Sequence, residues 1–198
     1  MQLDPAELSP SDRYQLLVAT IIPRPIAWIS TQGPSGLLNV APFSYFGAVS
    51  ATPPLLMVSI GRRRGAPKDT ARNILATGEA VVHIPDREHA EAMVSTGAEL
   101  DSEESELDLV QLALAPSTKV ATPRLLDAKV ALECVLHRHL EVGAGPGDML
   151  LLEVVYCHFA DEVLLSGRPD AKRLAAVGRL GGNAYCDTAN PFDVVRSG

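Results

Sequence analysis

The segment Lys68-Asp69-Thr70-x-x-Asn73 is the one credible address for phosphate chemistry in this chain. It opens a predicted helix over 68–77, KDTARNILAT, with Asp69 near its start and Gly78 at its stop. A helix N-terminus presents unpaired backbone N–H groups and a partial positive charge. A lysine and a hydroxyl added there make a clamp for a phosphate monoester. Thr70 and Asn73 stand three apart and so share one helix face. Read locally, a capped surface helix accounts for the same pattern. Asn39, Ala41, Ser44 and Ser59 give a second clue, as small or hydrogen-bonding residues inside otherwise apolar strands. A flat heterocycle lying on such strands needs accessible backbone donors and acceptors, which small residues leave open. A tapering barrel interior alternates small and large residues in the same way.

Other constellations lead elsewhere. No GxGxxG follows a strand and no GxxxxGK[ST] occurs, so neither dinucleotide fingerprint nor P-loop is present. Gly143 to Gly147 lies between two strands and reads as a hairpin turn. Cys134, His137, His139, Cys157 and His158 sit on strands expected to pair, but Cys134 and His137 fall on opposite faces, as do Cys157 and His158. No metal site is expected, because closed sites need convergent ligands. The run Glu99, Asp101, Glu103, Glu104, Glu106 and Asp108 lacks the glycine and alternation of a calcium loop and reads as a solvated helix face. His83, between Val82 and Ile84, is read as structural, and Trp28 as core. No triad or pair of acids stands out, so no catalytic side chain is named.

The elements that must position these residues are mostly strands. RPIAWIST (24–31) is extended, Gly33 to Gly36 turns the chain, and LLNVAPFSYF (37–46) runs back. Pro53-Pro54 leads into LLMVSI (55–60), apolar on both faces, and AVVHIP (80–85) is a further strand. Between Val130 and Val142 the even positions are largely apolar, whereas Glu133, His137, His139 and Glu141 form a polar face. MLLLEVVYCHF (149–159) is its long partner. Ser11 is placed as the cap of an N-terminal helix, Arg87 to Leu114 as an acidic helical stretch, and Asp170 to Val177 as a short helix. The fold class is mainly β with inserted helices, arranged as a small barrel in one domain spanning 1–198.

Bulk properties narrow the partners. Lys plus Arg is 17 and Asp plus Glu is 24, a formal net charge of -7, which repels a phosphate backbone and argues against nucleic acid. Three cysteines without a CxxC indicate neither a disulfide framework nor a zinc ribbon. The N-terminus MQLDPAELSPSDRYQ has acids and prolines where a signal peptide needs a basic start, and no stretch has the length of a membrane span. The expected location is cytoplasmic, with no membrane partner.

RPIAWIST, NVAPFSYFGAVSATPP, KDTARNI, ALECVL and RLGG-x-x-Y, in this order and spacing, resemble the flavin reductase-like and flavoredoxin-like family of FMN-binding split-barrel proteins. The resemblance runs from about Tyr14 to Tyr185. It implies an FMN-binding split β-barrel, homodimeric, with FMN held non-covalently near the subunit interface. It places Asn39, Ala41 and Ser44 at the ring and ribityl region, and Ser59 and Arg62 beside the cofactor. Lys68, Asp69 and Thr70 would form the phosphate end, and Arg179 and Tyr185 would complete the pocket. Ala80 and His83 depart from the family's FVVNIP pattern. The activity implied is reduction of flavin by NADH or NADPH. The alternatives are an electron carrier with tightly bound FMN serving a redox partner protein, and a non-catalytic cofactor-binding barrel.

Overall fold

The computed structural model describes residues 2–98, 107, 110–145 and 147–195. Strand β1 (Arg24–Pro25) is followed by β2 (Ala27–Gln32), whose first five residues are all buried. The period of two explains how both faces of β2 are covered. Ala27 and Ile29 point into one apolar cluster with Val58, Ile60, Val82, Leu150 and Leu152, while Ile26 and Trp28 point into another with Val40, Met93, Leu125 and Val177. Burying each such Val, Leu or Ile contributes roughly 1.5–3 kcal/mol, so a doubly covered central strand is a strong organiser.

Around it lie β3 (Leu38–Phe43), β4 (Phe46–Ala51), β5 (Pro54–Gly61), β6 (Glu79–His83), β9 (Val130–Val142) and β10 (Gly147–Phe159). Between β6 and β9 fall two short strands, β7 (Leu114–Ala115) and β8 (Arg124–Leu125), which pair with each other. The seven-stranded antiparallel sheet has the order β3-β2-β6-β9-β10-β5-β4. Its two edges, β3 and β4, are consecutive in the chain and joined only by Ser44 and Tyr45. The sheet therefore curls until its edges nearly meet, while the Ser59 N–H donates to the Tyr45 carbonyl at 2.8 Å and so extends the β4–β5 ladder into the link. A barrel left open along one seam results.

The helices are α1 (Pro10–Thr20), α2 (Asp69–Thr77), α3 (Ala90–Ser95) and α4 (Ala171–Leu174). A small hairpin pair, β11 (Leu164–Leu165) and β12 (Arg168–Pro169), precedes α4. After it β13 (Val177–Gly181) and β14 (Ala184–Asp187) join β1 in a three-stranded sheet.

Several boundaries differ from the sequence reading. Ser9 rather than Ser11 caps α1, accepting from the Asp12 N–H at 3.1 Å. RPIAWIST divides at Ile26 between two sheets, and LLNVAPFSYF divides at Ser44-Tyr45 between β3 and β4. Of the expected helical stretch from Arg87 to Leu114, the described part holds only α3, and Leu114 is in a strand; the acidic run from Glu99 to Asp108 lies outside the described residues. The polar face of β9 is not all solvated. Glu133 is fully buried, accepting from the Thr118, Lys119 and Val120 N–H groups at 2.7, 2.5 and 3.2 Å and facing His158 Nε2 at 2.6 Å. Burial raises this carboxyl's pKa, but those donors outweigh it and hold the pKa below the ordinary value.

Candidate functional site

Helix α2 packs Thr70, Ala71, Asn73 and Ile74 inward, an i, i+3, i+4 pattern, and stops at Gly78 in the left-handed region with φ 75°. Lys68, in extended conformation, starts it without any side-chain cap. Among the described residues the N–H groups of Asp69 and Thr70 find no protein acceptor, and they face the N-terminal end of the helix.

Two buried amides tie this helix to the barrel. Asn39 of β3 donates from Nδ2 to Thr70 Oγ1 at 2.8 Å, and Asn73 donates from Nδ2 to Thr31 Oγ1 of β2 at 3.2 Å. Each amide thus commits one of its two N–H donors to the barrel, and its second N–H and its carbonyl remain for other partners. Asn39 and Asn73 line a hollow of about 100 Å³ with Gly33, Pro34, Ser35, Leu37, Asp69 and Arg72. A methyl group at Gly33 would come within 2.9 Å of Asn73 Oδ1, so glycine keeps this cradle open. Cofactor pockets run to roughly 300–1,000 Å³, so the hollow matches a terminal group rather than a whole ligand. Asp69 turns its carboxylate to the Arg72 guanidinium, while Lys68 is exposed.

The other predicted residues divide into two groups. Ala41, Ser44 and Ser59 are half-buried along the seam, Ala41 opposite Ile29 on β3 and Ser59 opposite Met149 on β5. Arg179 and Tyr185 are cross-strand partners on β13 and β14, the guanidinium 5.8 Å from the ring centroid. What brings this pair to the seam is Arg24, a residue the motif analysis missed. Arg24 is opposite Arg179 in register, and its Nε donates to Ser44 Oγ at 3.3 Å. The available signal was its setting, a lone arginine between Pro23 and Pro25 ahead of a buried strand.

Arg62 is a different case. Its guanidinium forks onto Asp148, Nε to Oδ2 at 3.1 Å and Nη2 to Oδ1 at 2.8 Å, and Nη2 also reaches Glu141 at 2.5 Å. Asp148 is fully buried and meets His139 Nε2 at 2.9 Å. Arg62 first, with His139 in support, holds the Asp148 carboxyl below its ordinary pKa against burial. Arg62 is thus engaged in an ion-pair cluster that fixes the end of β5 and the turn after it. Among the described residues no group of three or more His, Cys, Asp or Glu is placed to hold a metal.

An uncapped helix start, a glycine-lined hollow beside it and a seam of small residues fit a flat ligand with an anionic end. Residues 19–169 match the flavin reductase like domain family, and the chain belongs to that family. It is similar to nitrilotriacetate monooxygenase component B from Bacillus cereus, at 38% identity, 98% coverage of each chain and a TM-score of 0.94. It is also similar to 2-nitrobenzoate 2-nitroreductase from Pseudomonas fluorescens, at 30% identity, with 100% of this chain and 96% of that one covered and a TM-score of 0.91. A protein from Halalkalibacterium halodurans is 38% identical over 201 residues, covering 99% of this chain and 96% of its relative.

Proposed function

We propose that this protein binds FMN non-covalently along the barrel seam and acts as an NADH- or NADPH-dependent flavin reductase. The observation that carries the reading is the Asn39–Thr70 hydrogen bond, which fixes an uncapped helix start against the open edge of the barrel. In this reading Lys68, Thr70 and the first N–H groups of α2 hold the phosphate, where the helix dipole and a charged donor reinforce each other. Asn39, Ala41, Ser44 and Ser59 orient the ribityl chain and ring, and Arg179 with Tyr185 forms part of the rim. Asp69 steers Arg72, and Arg62 contributes by holding the rim turn from 62 to 67 rather than by contact. A bound flavin supplies reversible two-electron chemistry of its own, so the protein's tasks are alignment, exclusion of water and stabilisation of charge.

Freshly purified protein is expected to show a flavin absorbance band. Anaerobic addition of NADH or NADPH should bleach it, and oxygen should restore it. If dithionite bleaches the band while neither nucleotide does so within minutes, the reductase reading gives way to the electron-carrier one. If the protein neither retains nor takes up FMN, the flavin reading itself falls.

A further inference from the structure

Arg24 is 94% buried by its 6% exposure, yet among the described residues no carboxylate lies within ion-pair distance of it. Its Nη1 donates to the carbonyls of Val18, of Ile21 at 3.3 Å and of Leu180 at 3.0 Å, none of them a formal anion, although Val18 and Ile21 belong to the C-terminal end of α1, whose dipole offsets part of the charge. Across the strand pair stands Arg179, which donates to the Gly182 carbonyl at 3.3 Å and likewise has no carboxylate partner among the described residues. Like charges directly opposite on neighbouring strands are destabilising. Two guanidinium groups without a carboxylate partner among the described residues leave a positive field at the end of the seam that the α1 dipole offsets only in part.

Ser44 passes that field on. Its oxygen accepts from Arg24 Nε, which leaves the hydroxyl proton to be donated, and no described residue accepts it. The serine is half-buried at the link between the two sheet edges, so the free donor belongs to the seam.

We propose that Arg24 and Arg179 form an anion-stabilising pair which, through Ser44, favours the negatively charged reduced form of the flavin over the oxidised form. The proposal rests on the flavin reading above. Arg24 is a positioning residue here, because it acts through Ser44. A fixed cation and a donor aimed where charge develops contribute most in a site with little water.

The test compares affinities for oxidised and reduced FMN, together with the midpoint potential, in wild type and in Arg24→Met, Arg24→Lys, Arg179→Met and Ser44→Ala. Arg24→Met should lose about tenfold in affinity for reduced relative to oxidised FMN. For a two-electron couple that equals a downward shift of about 30 mV. Arg24→Lys, which keeps the charge, should recover part of it, and Arg179→Met should shift the potential in the same direction. A helix-capping role alone would lower the melting temperature of Arg24→Met and leave the potential unmoved, which overturns the proposal. If Arg24→Met does not fold, Arg179→Met and Ser44→Ala decide, and unchanged potentials in both overturn it. Loss of NADH or NADPH affinity at unchanged potential also overturns it, by assigning the pair to the nucleotide's phosphates. Wild-type protein that binds no FMN at all would instead remove the reading underneath.

Discussion

The His83 ring is sealed from solvent and bridges two elements: Nδ1–H donates to the Trp28 carbonyl at 2.9 Å, and Nε2 accepts from the Leu125 N–H at 3.0 Å. That pairing requires the neutral ring. Burial lowers the pKa to about 4, against a smaller opposing effect of the Trp28 carbonyl. The folded value lies below the unfolded one, near 6.5, so the unfolded chain binds the extra proton first. Stability is then fully present above pH 6.5 and is lost as pH falls towards 4. By pH 5 the loss from this residue is about 2 kcal/mol. Urea unfolding at pH 7.5 and pH 5 should show His83→Asn less stable overall but flatter in pH than wild type. Parallel curves would refute the assignment. The structural role of His83 was legible from its place in an apolar strand, but its partners were not. Both are backbone groups, one of them 42 residues away, and backbone groups leave no signature in side-chain pattern. Arg62 illustrates the same limit, since its Asp148 partner lies 86 residues on.

Among the elements, α2 was the most readable, because an acidic residue near the start and a terminal glycine are both local signals. Its proposed phosphate role predicts that Lys68→Ala combined with Thr70→Ala weakens FMN more than riboflavin, which lacks the phosphate. A charge-assisted contact is worth ~1.5–3 kcal/mol, roughly ten- to a hundredfold in affinity. Titration with both flavins decides; equal losses for the two rule out the phosphate assignment. Strand β9 was readable as a strand but not in its environment. Alternation marked Glu133 as outward, and outward proved to be a loop whose N–H groups the carboxylate caps. Alternation reports which face a residue is on, not what later segments lay over that face. The division of LLNVAPFSYF was hidden for a related reason, since a two-residue link between edge strands looks as extended and apolar as the strands it joins.

At the scale of the molecule, apolar surface remains uncovered. Tyr14, Leu17 and Ile21 form one stripe on and just beyond α1, 53%, 47% and 60% exposed, and Val49 on edge strand β4 is exposed as well. Such a surface, together with a seam that a single chain leaves open, supports the expectation of a homodimer. Light scattering of the FMN-loaded protein should return twice the 21.1 kDa chain mass, and a clean monomer at micromolar concentration would overturn this. Among the described residues no helix is long and apolar enough to cross a membrane.

The split between β3 and β4 also has a consequence for how the chain orders itself. The pairs β2–β3, β4–β5 and β9–β10 each close over a short connection, so their loop entropy is small. Strand β6 must instead be captured between two distant segments, Val82 meeting Ile29 on one side and Leu132 on the other. Long-range closure therefore falls on β6, whose Ala80, Val81, Val82 and His83 are sealed in the finished barrel, and on the β5–β10 pairing, where Val58 meets Leu150. The seam lies at the opposite extreme. Its two edges, β3 and β4, form no ladder with each other, so small local openings are expected there at less cost than release of β6, which is paired on both sides.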